Sequence, residues 1–381
     1  MLKLKSDKII IDEKLFDGFV YVSGGKIAAI TKEDRAADEF YDFTSQYLSA
    51  GFIDIHTHGG GGHAFLNSTT KDVVAACNFH LQHGTTSIVP TISAADFSAM
   101  KDAVRTVSAA KKDGALKSNI LGAHLEGPYI SRNQCGAQYP GVITPPVKAD
   151  YTALIDEYGK DIVRWTYAPE NDYLGEFCRY LTEHGIVASA GHTDAKYEDM
   201  TLAIDSGCNL ITHLYSCTST VTREKGFRSL GVIETAFLHD ELFVEIIADG
   251  KHLPPELIKL ILKIKGTDKV ALVTDSLDIA GTDIKEGVMS NTEFIVEDGV
   301  CKLKDRSAFA GSVATADTLI KTLIGECGVA LPVAVKMLTR VPAEILNVNK
   351  GKIEIGKDAD LIVFDDEIKI KDVFVGGVKK I

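Results

Sequence analysis

The chain of 381 residues, with 45% hydrophobic and 25% charged residues, has the composition of a globular protein with one large domain and a smaller companion. Its formal net charge of −12 argues against binding to nucleic acid or to an anionic membrane through bulk electrostatics. The seven cysteines lack CxxC spacing, and the chain has neither a signal-peptide core nor about 18 consecutive apolar residues, so we expect a cytoplasmic protein with reduced thiols.

The two ends of the chain predict short strands. Residues 1 to 50 contain β-rich pieces around a Gly24-Gly25 turn, and residues 350 to 381 again alternate strand and turn signals. Neither end holds enough apolar residues for a core of its own. We therefore expect both ends to form one small β-sandwich domain, residues 1–50 plus 350–381, beside a larger domain of residues 51–349.

The larger domain repeats one pattern: a short apolar strand, a loop, an amphipathic helix and a glycine. Helices are predicted at 69–83, 173–184 and 197–206. Strands that alternate with helices favour parallel pairing, and eight such units predict an α/β fold, a TIM-like (β/α)8 barrel. A doubly wound open sheet is the alternative, but no GxGxxG follows any strand. The predicted strands are Phe52–His56, Thr86–Thr91, Ile120–Glu126, Ile162–Ala168, Val187–His192, Asn209–His213, Leu242–Ile247 and Lys269–Asp275.

Polar side chains close several of these strands, at the barrel face where functional residues lie. One histidine at a rim is more often structural than a ligand, but a set of imidazoles and carboxylates is costly to bring together without a cation. Residues i and i+2 of an extended segment point the same way, so His56 and His58 offer two nitrogens to one ion. Such ligands suit zinc, iron or manganese. The predicted metal ligands are His56, His58, Glu126, His192, His213 and Asp275.

The other histidines receive plainer interpretations. His80 and His83 lie on a predicted helix and are expected on a solvated face. His124 shares a strand face with Glu126 and is expected in a buried polar network. The glycine run after His58 is interpreted as backbone that clears the metal site or, on a weaker signal, as a phosphate cradle.

This set of groups is suited to amide hydrolysis. A metal ion lowers the pKa of bound water from 15.7 to about 7 and polarises a carbonyl. A carboxylate beside that water can take its proton and later donate it to the leaving amine. Asp275 is our choice for this catalytic role, and Glu126 is better suited to bridging the metal ions.

Several motifs together make the chain resemble the amidohydrolase superfamily and, within it, the N-acetylglucosamine-6-phosphate deacetylases. The resemblance runs nearly end to end and implies hydrolysis of the acetamide of a phosphorylated amino sugar to acetate. HLEGP and GHTDA in this order are specific to that group, whereas the tail motif is shared by many amidohydrolases. The motifs are GFIDIHTHGGGG, HLEGPY, GHTDA, THLYS, DGKH, VTDS, AGS, VPAEIL and GKDADLIVFD.

The resemblance assigns roles by position. Glu126, His192 and His213 match the metal site that the family shares, and His56 and His58 match the pair seen in members with two ions. One or two divalent ions per subunit are therefore expected, with a homodimer and a sugar-phosphate substrate. The implied substrate-binding residues are Ala137, Gln138, Ser216, Cys217, Arg223, His252, Ala310 and Gly311. Among them, Arg223 and His252 match phosphate contacts, and in some members the arginine crosses the dimer interface.

Two departures from the family pattern fall in the expected sugar pocket. Gln138 stands where the family usually has a histidine, and Ser216-Cys217 replaces an Asn-Ala pair. The substrate therefore stays open between N-acetylglucosamine 6-phosphate and another hexosamine phosphate, such as the galacto epimer. Lys225 and Arg228 are expected on a solvated loop face.

Two other functions remain as alternatives. The chain resembles cyclic amidases and deaminases of the same superfamily less well, because cyclic amidases often carry a carboxylated lysine at the end of strand 4, where this chain has Thr166-Tyr167-Ala168-Pro169. A barrel that keeps its metal only for stability is the other alternative. Asp275 argues against it, because a structural site needs no proton shuttle.

Overall fold

The structure, a computed structural model that describes residues 1–289 and 292–381, begins with strands whose side chains largely alternate between buried and exposed positions. β1 and β2 pair antiparallel, and β1 also pairs in parallel with β4 and β5. These strands are β1 (Leu2–Ile11), β2 (Lys14–Ser23), β3 (Lys26–Thr31), β4 (Glu39–Asp42) and β5 (Tyr47–Ala50).

The middle of the chain forms the predicted barrel. The parallel strands follow one another in the order β6, β9, β11, β12, β13, β14, β17 and β18, and β10 pairs with β9. Two short hairpins, β7–β8 and β15–β16, lie outside this barrel. The strands are β6 (Phe52–Thr57), β7 (Gly59–Gly60), β8 (His63–Ala64), β9 (Thr85–Ser93), β10 (Asn119–Ile120), β11 (Ala123–Glu126), β12 (Ile162–Tyr167), β13 (Val187–Ala190), β14 (Leu210–Ile211), β15 (Thr222–Glu224), β16 (Phe227–Ser229), β17 (Phe243–Ile246) and β18 (Val270–Leu272). The predicted (β/α)8 architecture is confirmed.

The barrel closes at a seam between its first and last strands. β6 and β18 do not pair as strands in the described part of the chain. Instead, the backbone N–H of Asp275 donates to the carbonyl of His56 at 2.9 Å, and the N–H of His58 donates to the carbonyl of Ser276 at 2.8 Å. The seam therefore passes directly below the predicted metal ligands.

Helices follow most barrel strands and cover them. α1 begins with a capping box in which Thr69 and Asp72 satisfy each other's backbone N–H groups. Gly185 and Gly207 end α4 and α5 with φ of 71° and 102°, a backbone that favours glycine. No helix among the described residues has the length and apolar character to cross a membrane. The helices are α1 (Thr70–Leu81), α2 (Phe97–Ala110), α3 (Lys148–Tyr158), α4 (Glu176–Glu183), α5 (Tyr197–Asp205), α6 (Val232–Leu238), α7 (Pro255–Lys265), α8 (Ala316–Gly325), α9 (Leu331–Met337) and α10 (Arg340–Ile345), with 3₁₀ turns at Pro140–Val142, Gly159–Asp161, Pro169–Asn171 and Tyr173–Gly175.

An antiparallel sheet is inserted between β18 and α8, which the sequence analysis does not anticipate. Phe294, Cys301 and Ala310 of this sheet pack with Leu277 into a separate small core that also contacts Ala137. The insertion thus lies against the rim where the barrel strands end. Its strands are β19 (Glu286–Met289), β20 (Thr292–Glu297), β21 (Val300–Leu303) and β22 (Phe309–Gly311).

The tail joins the sheet of the first residues, through β23 (Leu361–Phe364), β24 (Ile370–Val375) and β25 (Val378–Lys379). β23 pairs antiparallel with β5, so strands from both ends form one sheet of eight strands within the described residues. Leu4, Val20, Leu48 and Phe374 are buried together beneath it. We propose residues 1–50 with 350–381 as the small domain and residues 51–349 as the barrel domain.

Candidate metal centre and its cavity

Glu126, at the end of β11, lies between two sets of histidines. Its Oε1 lies 3.2 Å from His192 Nε2 and 3.1 Å from His213 Nε2. The same Oε1 is 3.2 Å from His56 Nε2, and Oε2 is 3.2 Å from His58 Nε2. Two metal-competent triads result, and Glu126 belongs to both. The structure therefore brings the predicted histidines and this glutamate to one point.

Asp275 completes the cluster from the other side of the barrel seam. Its Oδ1 lies 3.2 Å from His58 Nε2 and 3.4 Å from His56 Nε2. Burial alone would raise the pKa of its carboxyl, but the neighbouring charges of His56 and His58 lower it to about 2. All of the predicted ligands are buried or nearly so, which places the cluster away from bulk water.

Three residues of the cluster adopt a left-handed backbone. The φ angles are 48° at His192, 25° at His213 and 46° at Asp275. Side chains with a Cβ rarely adopt this region, and each such residue costs about 1–3 kcal/mol. Such strain persists only where the surrounding structure holds it, and it is concentrated at functional sites. The strand ends are therefore bent to aim these three side chains inward.

The geometry fits a divalent ion bound by nitrogen and oxygen. Ligands about 2.0–2.1 Å from a tetrahedral zinc lie about 3.3 Å from one another, and the contacts of Glu126 with the four histidines are 3.1–3.2 Å. His56 Nε2 is buried without a hydrogen-bond partner and faces carboxylate oxygens of Glu126 and Asp275. Burial alone would lower the pKa of His56, but these carboxylates raise it to about 10. The field at Nε2 therefore favours a positive charge, which a metal ion supplies.

The outer nitrogens of three histidines contact uncharged oxygens. His58 Nδ1 is 2.9 Å from Ser93 Oγ, His192 Nδ1 is 2.8 Å from the carbonyl of Gln134, and His213 Nδ1 is 3.1 Å from the carbonyl of Ser216. A carbonyl accepts only, so His192 and His213 carry their proton on Nδ1 and leave Nε2 free to bind metal.

His56 differs because its outer nitrogen contacts a carboxylate. Nδ1 lies 3.3 Å from Glu245 Oε2, and Glu245 is itself paired with Arg164. Both side chains of this ion pair are completely buried. Neither residue was predicted from the sequence, although a charged residue inside the apolar strand sequences IVRWTY and FVEI was an available signal.

His124 lies below the metal centre in a buried hydroxyl network. Its Nδ1 is 3.0 Å from Thr91 Oγ1 and its Nε2 is 2.7 Å from Thr166 Oγ1. Burial and the charge of Arg164 hold the pKa of His124 well below its usual range, so the ring is neutral. The expected polar network is confirmed.

A cavity of about 250 Å³ opens above the cluster. Of the predicted site residues that the structure describes, all but His56 and Arg223 line it: His56 lies beneath, and Arg223 lies in the exposed β15–β16 hairpin. Several lining residues were missed, although two of them directly precede the AGS motif. The lining comprises His58, Ser93, Glu126, Gly136, Ala137, Gln138, His192, His213, Ser216, Cys217, His252, Asp275, Leu277, Ala308, Phe309, Ala310 and Gly311.

His252 stands at the edge of this cavity in a fixed orientation. Its Nδ1 lies 2.8 Å from Asp249 Oδ2, and its backbone N–H donates to Oδ1 of the same residue. The ring packs on Phe309, with 5.0 Å between the ring centroids. No lysine or arginine is among the described residues that line the cavity.

The interpretation of His80 as a solvated residue was wrong. His80 is completely buried on the inner face of α1, and its Nε2 donates to the carbonyl of Gly59 at 2.8 Å. Burial lowers the pKa of His80 to about 4, so the ring is neutral. His83 is partly exposed and pairs with Asp317 at 3.0 Å. The positions of His80 and His83 along the helix did not distinguish the packed face of α1 from its solvent-exposed face.

The glycine run is used for close packing. The N–H groups of Gly59, Gly61 and Gly62 donate to backbone carbonyls of residues 276–280. A Cβ on Gly60 would lie 2.5 Å from Phe79 Cδ1 and 2.8 Å from His80 Nε2. These N–H groups are therefore committed to the segment after Asp275, which disfavours the phosphate cradle.

The chain is similar to known proteins over most of its length. The profile of the Amidohydrolase family, whose members depend on metal, matches residues 47–380. The N-acetylglucosamine-6-phosphate deacetylase of Bacillus subtilis (strain 168) is 30% identical over 97% of this chain and 94% of its own length. The N-acetylgalactosamine-6-phosphate deacetylase of Shewanella sp. (strain ANA-3) is also 30% identical, over 93% of this chain and 88% of its own.

The folds of two solved structures match the fold of this chain over nearly its whole length. The N-acetylglucosamine-6-phosphate deacetylase of Pasteurella multocida has a TM-score of 0.92 at 29% identity, covering 100% of this chain and 99% of that one. A mutant of the Mycobacterium smegmatis deacetylase, in complex with N-acetyl-D-glucosamine-6-phosphate, has a TM-score of 0.91 at 26% identity, covering 99% and 98%.

Proposed function

The chain belongs to the amidohydrolase family, and we propose that it removes the acetyl group of an N-acetyl-hexosamine 6-phosphate, N-acetylglucosamine 6-phosphate first among them, by metal-dependent hydrolysis. The products would be acetate and the amino-sugar phosphate. One observation carries the proposal: Glu126 is shared by two histidine triads on the floor of a cavity that Asp275 also lines.

The metal centre that we propose has two binding positions. His56, His58 and Glu126 would hold one ion with Asp275, and Glu126, His192 and His213 would hold the other. Zinc, iron and manganese all suit this mixture of imidazole and carboxylate ligands. When bound, such an ion supplies a water molecule with a pKa of about 7 and polarises the acetamide carbonyl.

Asp275 is the residue that we assign to proton transfer. Its Oδ1 lies 3.2 Å from His58 Nε2, so the carboxylate is at the centre where the water must be activated. It would accept the proton of the attacking water and return that proton to the amine nitrogen as the C–N bond breaks. The return step matters because an amide anion is a very poor leaving group.

The substrate-binding residues extend from this centre across the cavity. Ala137, Gln138, Ser216 and Cys217 would face the sugar and its acetamide, with Ala310 and Gly311 of β22 on the opposite side. Ser216-Cys217 replaces the family's Asn-Ala pair, and relatives of comparable identity act on either epimer. Both phosphorylated sugars are therefore the substrates to compare.

A second subunit would complete the phosphate site. His252 lines the cavity, but the described lining contains no lysine or arginine to balance the phosphate charge. Arg223 lies on an exposed hairpin whose Phe227 is 81% exposed, as expected of a hairpin that packs on another molecule. We propose a homodimer in which this hairpin delivers Arg223 to the cavity of the partner.

The test is acetate release from N-acetylglucosamine 6-phosphate and from N-acetylgalactosamine 6-phosphate by metal-reconstituted protein. The control is Asp275→Asn, for which we expect a loss of about 10²- to 10⁴-fold in turnover. Loss of activity on chelation and recovery on adding zinc or manganese should accompany it. Metal-loaded protein that releases no acetate from either sugar would contradict the proposal.

A further inference from the structure

The barrel lumen contains an ion pair that the proposed reaction does not use. Arg164 on β12 and Glu245 on β17 are separated in the sheet by β13 and β14, so their side chains meet only by crossing the lumen. Arg164 Nη1 contacts Oε1 of Glu245, and Nη2 contacts Oε2 at 2.9 Å. Both side chains have no exposed surface.

The guanidinium is otherwise fully committed. Its Nε donates to Ser189 Oγ at 3.1 Å, Nη1 to the carbonyl of Ile55 at 3.2 Å, and Nη2 to Thr212 Oγ1 at 2.9 Å. Such a two-pronged, fully hydrogen-bonded arrangement fixes the orientation of the carboxylate that it holds. Ile55 immediately precedes His56, so the arginine also ties the end of β6 to the lumen.

Glu245 in turn contacts both triads. Its Oε2 lies 3.3 Å from His56 Nδ1 and 3.3 Å from the backbone nitrogen of His213. A carboxylate paired with an arginine accepts hydrogen bonds and donates none, so the proton must lie on His56 Nδ1. When the ion is bound, the lone pair of His56 would therefore lie on Nε2, which faces Glu126.

We propose that Glu245, held by Arg164, is a positioning residue that fixes His56 with its proton on Nδ1 and so presents Nε2 to the ion shared by His56, His58 and Glu126. This inference rests on the metal centre of the proposed function. Of the four histidines that face Glu126, as far as the described residues show, His56 is the one whose outer partner is a carboxylate. A carboxylate partner raises the basicity of a metal-binding imidazole.

The consequence is an asymmetry between the two binding positions. Loss of the carboxylate should lower the affinity for the ion bound by His56 and His58 about 10- to 100-fold. The affinity for the ion bound by His192 and His213 should change far less, because the rings of these histidines contact backbone carbonyls.

The experiment is a zinc titration of the apoprotein against a chromogenic chelator, which reports affinity without any substrate. The variants are Glu245→Gln and the double variant Arg164→Met with Glu245→Met. The double variant leaves no unpaired buried charge and therefore guards against a folding defect in the single one. Asp54→Asn is the matched control, because Asp54 is a completely buried carboxylate that accepts hydrogen bonds from Thr274 and from the backbone N–H of His56 but contacts no imidazole ring.

We expect both Glu245 variants to lose about 10- to 100-fold in one zinc-binding event, whereas Asp54→Asn keeps it. Nitrogen-15 imidazole spectra of the zinc-loaded proteins should record the proton on His56 Nδ1 in the wild type and a change of tautomer in the double variant. Equal zinc affinities in wild type and both variants, or equal losses in both binding events, would overturn the inference while leaving the proposed hydrolysis intact. A wild-type protein that binds no divalent ion would instead overturn the metal centre and this inference together.

Discussion

The side-chain amide of Gln138 donates a hydrogen bond of 2.6 Å to Oε2 of Glu126, the carboxylate common to both triads. Its amide oxygen accepts from the backbone N–H of Ala94 at 2.9 Å, so the amide is fixed at both ends. Gln138 therefore orients the shared carboxylate as well as lining the cavity. This contact bears on how the departure from the family's histidine affects turnover.

Replacing Gln138 by leucine should lower kcat more than it raises KM. The lost hydrogen bond to a charged group is worth about 1.5–3 kcal/mol, equivalent to about 10- to 100-fold in rate if it is needed in the transition state. Steady-state acetate release separates the two constants. Gln138→Glu should be worse still, because a second carboxylate would then face Glu126 at hydrogen-bonding distance. A large rise in KM with unchanged kcat would mean that the amide acts on the substrate instead.

Arg223→Ala should raise KM for the phosphorylated sugar at least about tenfold, because a charge-assisted contact to the phosphate is lost. The unphosphorylated N-acetyl sugar should be affected little. Lys225→Ala, on the same exposed hairpin, is the matched control. Equal effects on both sugars would point to a structural role.

Mixing two impaired variants, assayed at a substrate concentration well below the raised KM, tests whether Arg223 crosses between subunits. In a mixed dimer of Arg223→Ala and Asp275→Asn, the second subunit supplies an arginine to a site with an intact aspartate. The activity should therefore exceed the mean of the two variants after they are unfolded and refolded together. If the arginine serves its own subunit, the activity of the mixture stays at that mean.

Asp317 should make stability depend on pH in the acid range. Burial alone would raise its pKa, but hydrogen bonds from His83, Thr315 and Lys321 hold it well below the usual value. A folded-state pKa below the unfolded value, about 3.9, stabilises the fold above that pH and loses the contribution as pH falls through the folded value. Asp317→Asn should therefore cost about 1.5–3 kcal/mol at pH 7.

The measurement is urea unfolding of wild type and Asp317→Asn between pH 7 and pH 3.5, with chelator present throughout. The difference between the two proteins should begin to shrink below about pH 5, where the unfolded carboxyl of the wild type starts to take up a proton. A difference that is constant with pH would show that the asparagine merely packs badly.

Gly60→Ala should destabilise the protein by about 1–3 kcal/mol, because the added methyl overlaps side-chain atoms of α1. The nearest are Phe79 Cδ1 at 2.5 Å and His80 Nε2 at 2.8 Å. Gly114→Ala is the control, since a Cβ there meets no atom within 4 Å. Thermal unfolding of the two variants should differ accordingly, and equal melting temperatures would contradict the close packing of the glycine run.

The sequence predicted the parts of this fold that depend on local patterns. Apolar runs ending in polar residues located the barrel strands, and residues such as His192 and Asp275 were found because they end such runs. The side of α1 that faces the barrel was not predicted, because His80 becomes buried only through the glycine run of a distant segment. The inserted sheet was missed because its short strands lie outside the repeating strand–helix pattern.

The lumen ion pair illustrates a second limit. Arg164 and Glu245 lie 81 residues apart, and each stands alone within an apolar strand. Only barrel closure brings them opposite each other, so no spacing rule could pair them. Gln138 raises a related point, since its identity was readable but its contact with Glu126 depends on where the loop returns.

The seam between β6 and β18 has a consequence for how the barrel comes apart. His56 and His58 stand on one side of it and Asp275 on the other, joined there by few backbone hydrogen bonds. An ion bound by ligands from both sides would cross-link β6 and the segment after β18 at the seam, where the barrel has few backbone hydrogen bonds. Stripping that ion should therefore speed opening of the barrel, so that hydrogen exchange in β6 and β18 would accelerate before that in β12 or β13.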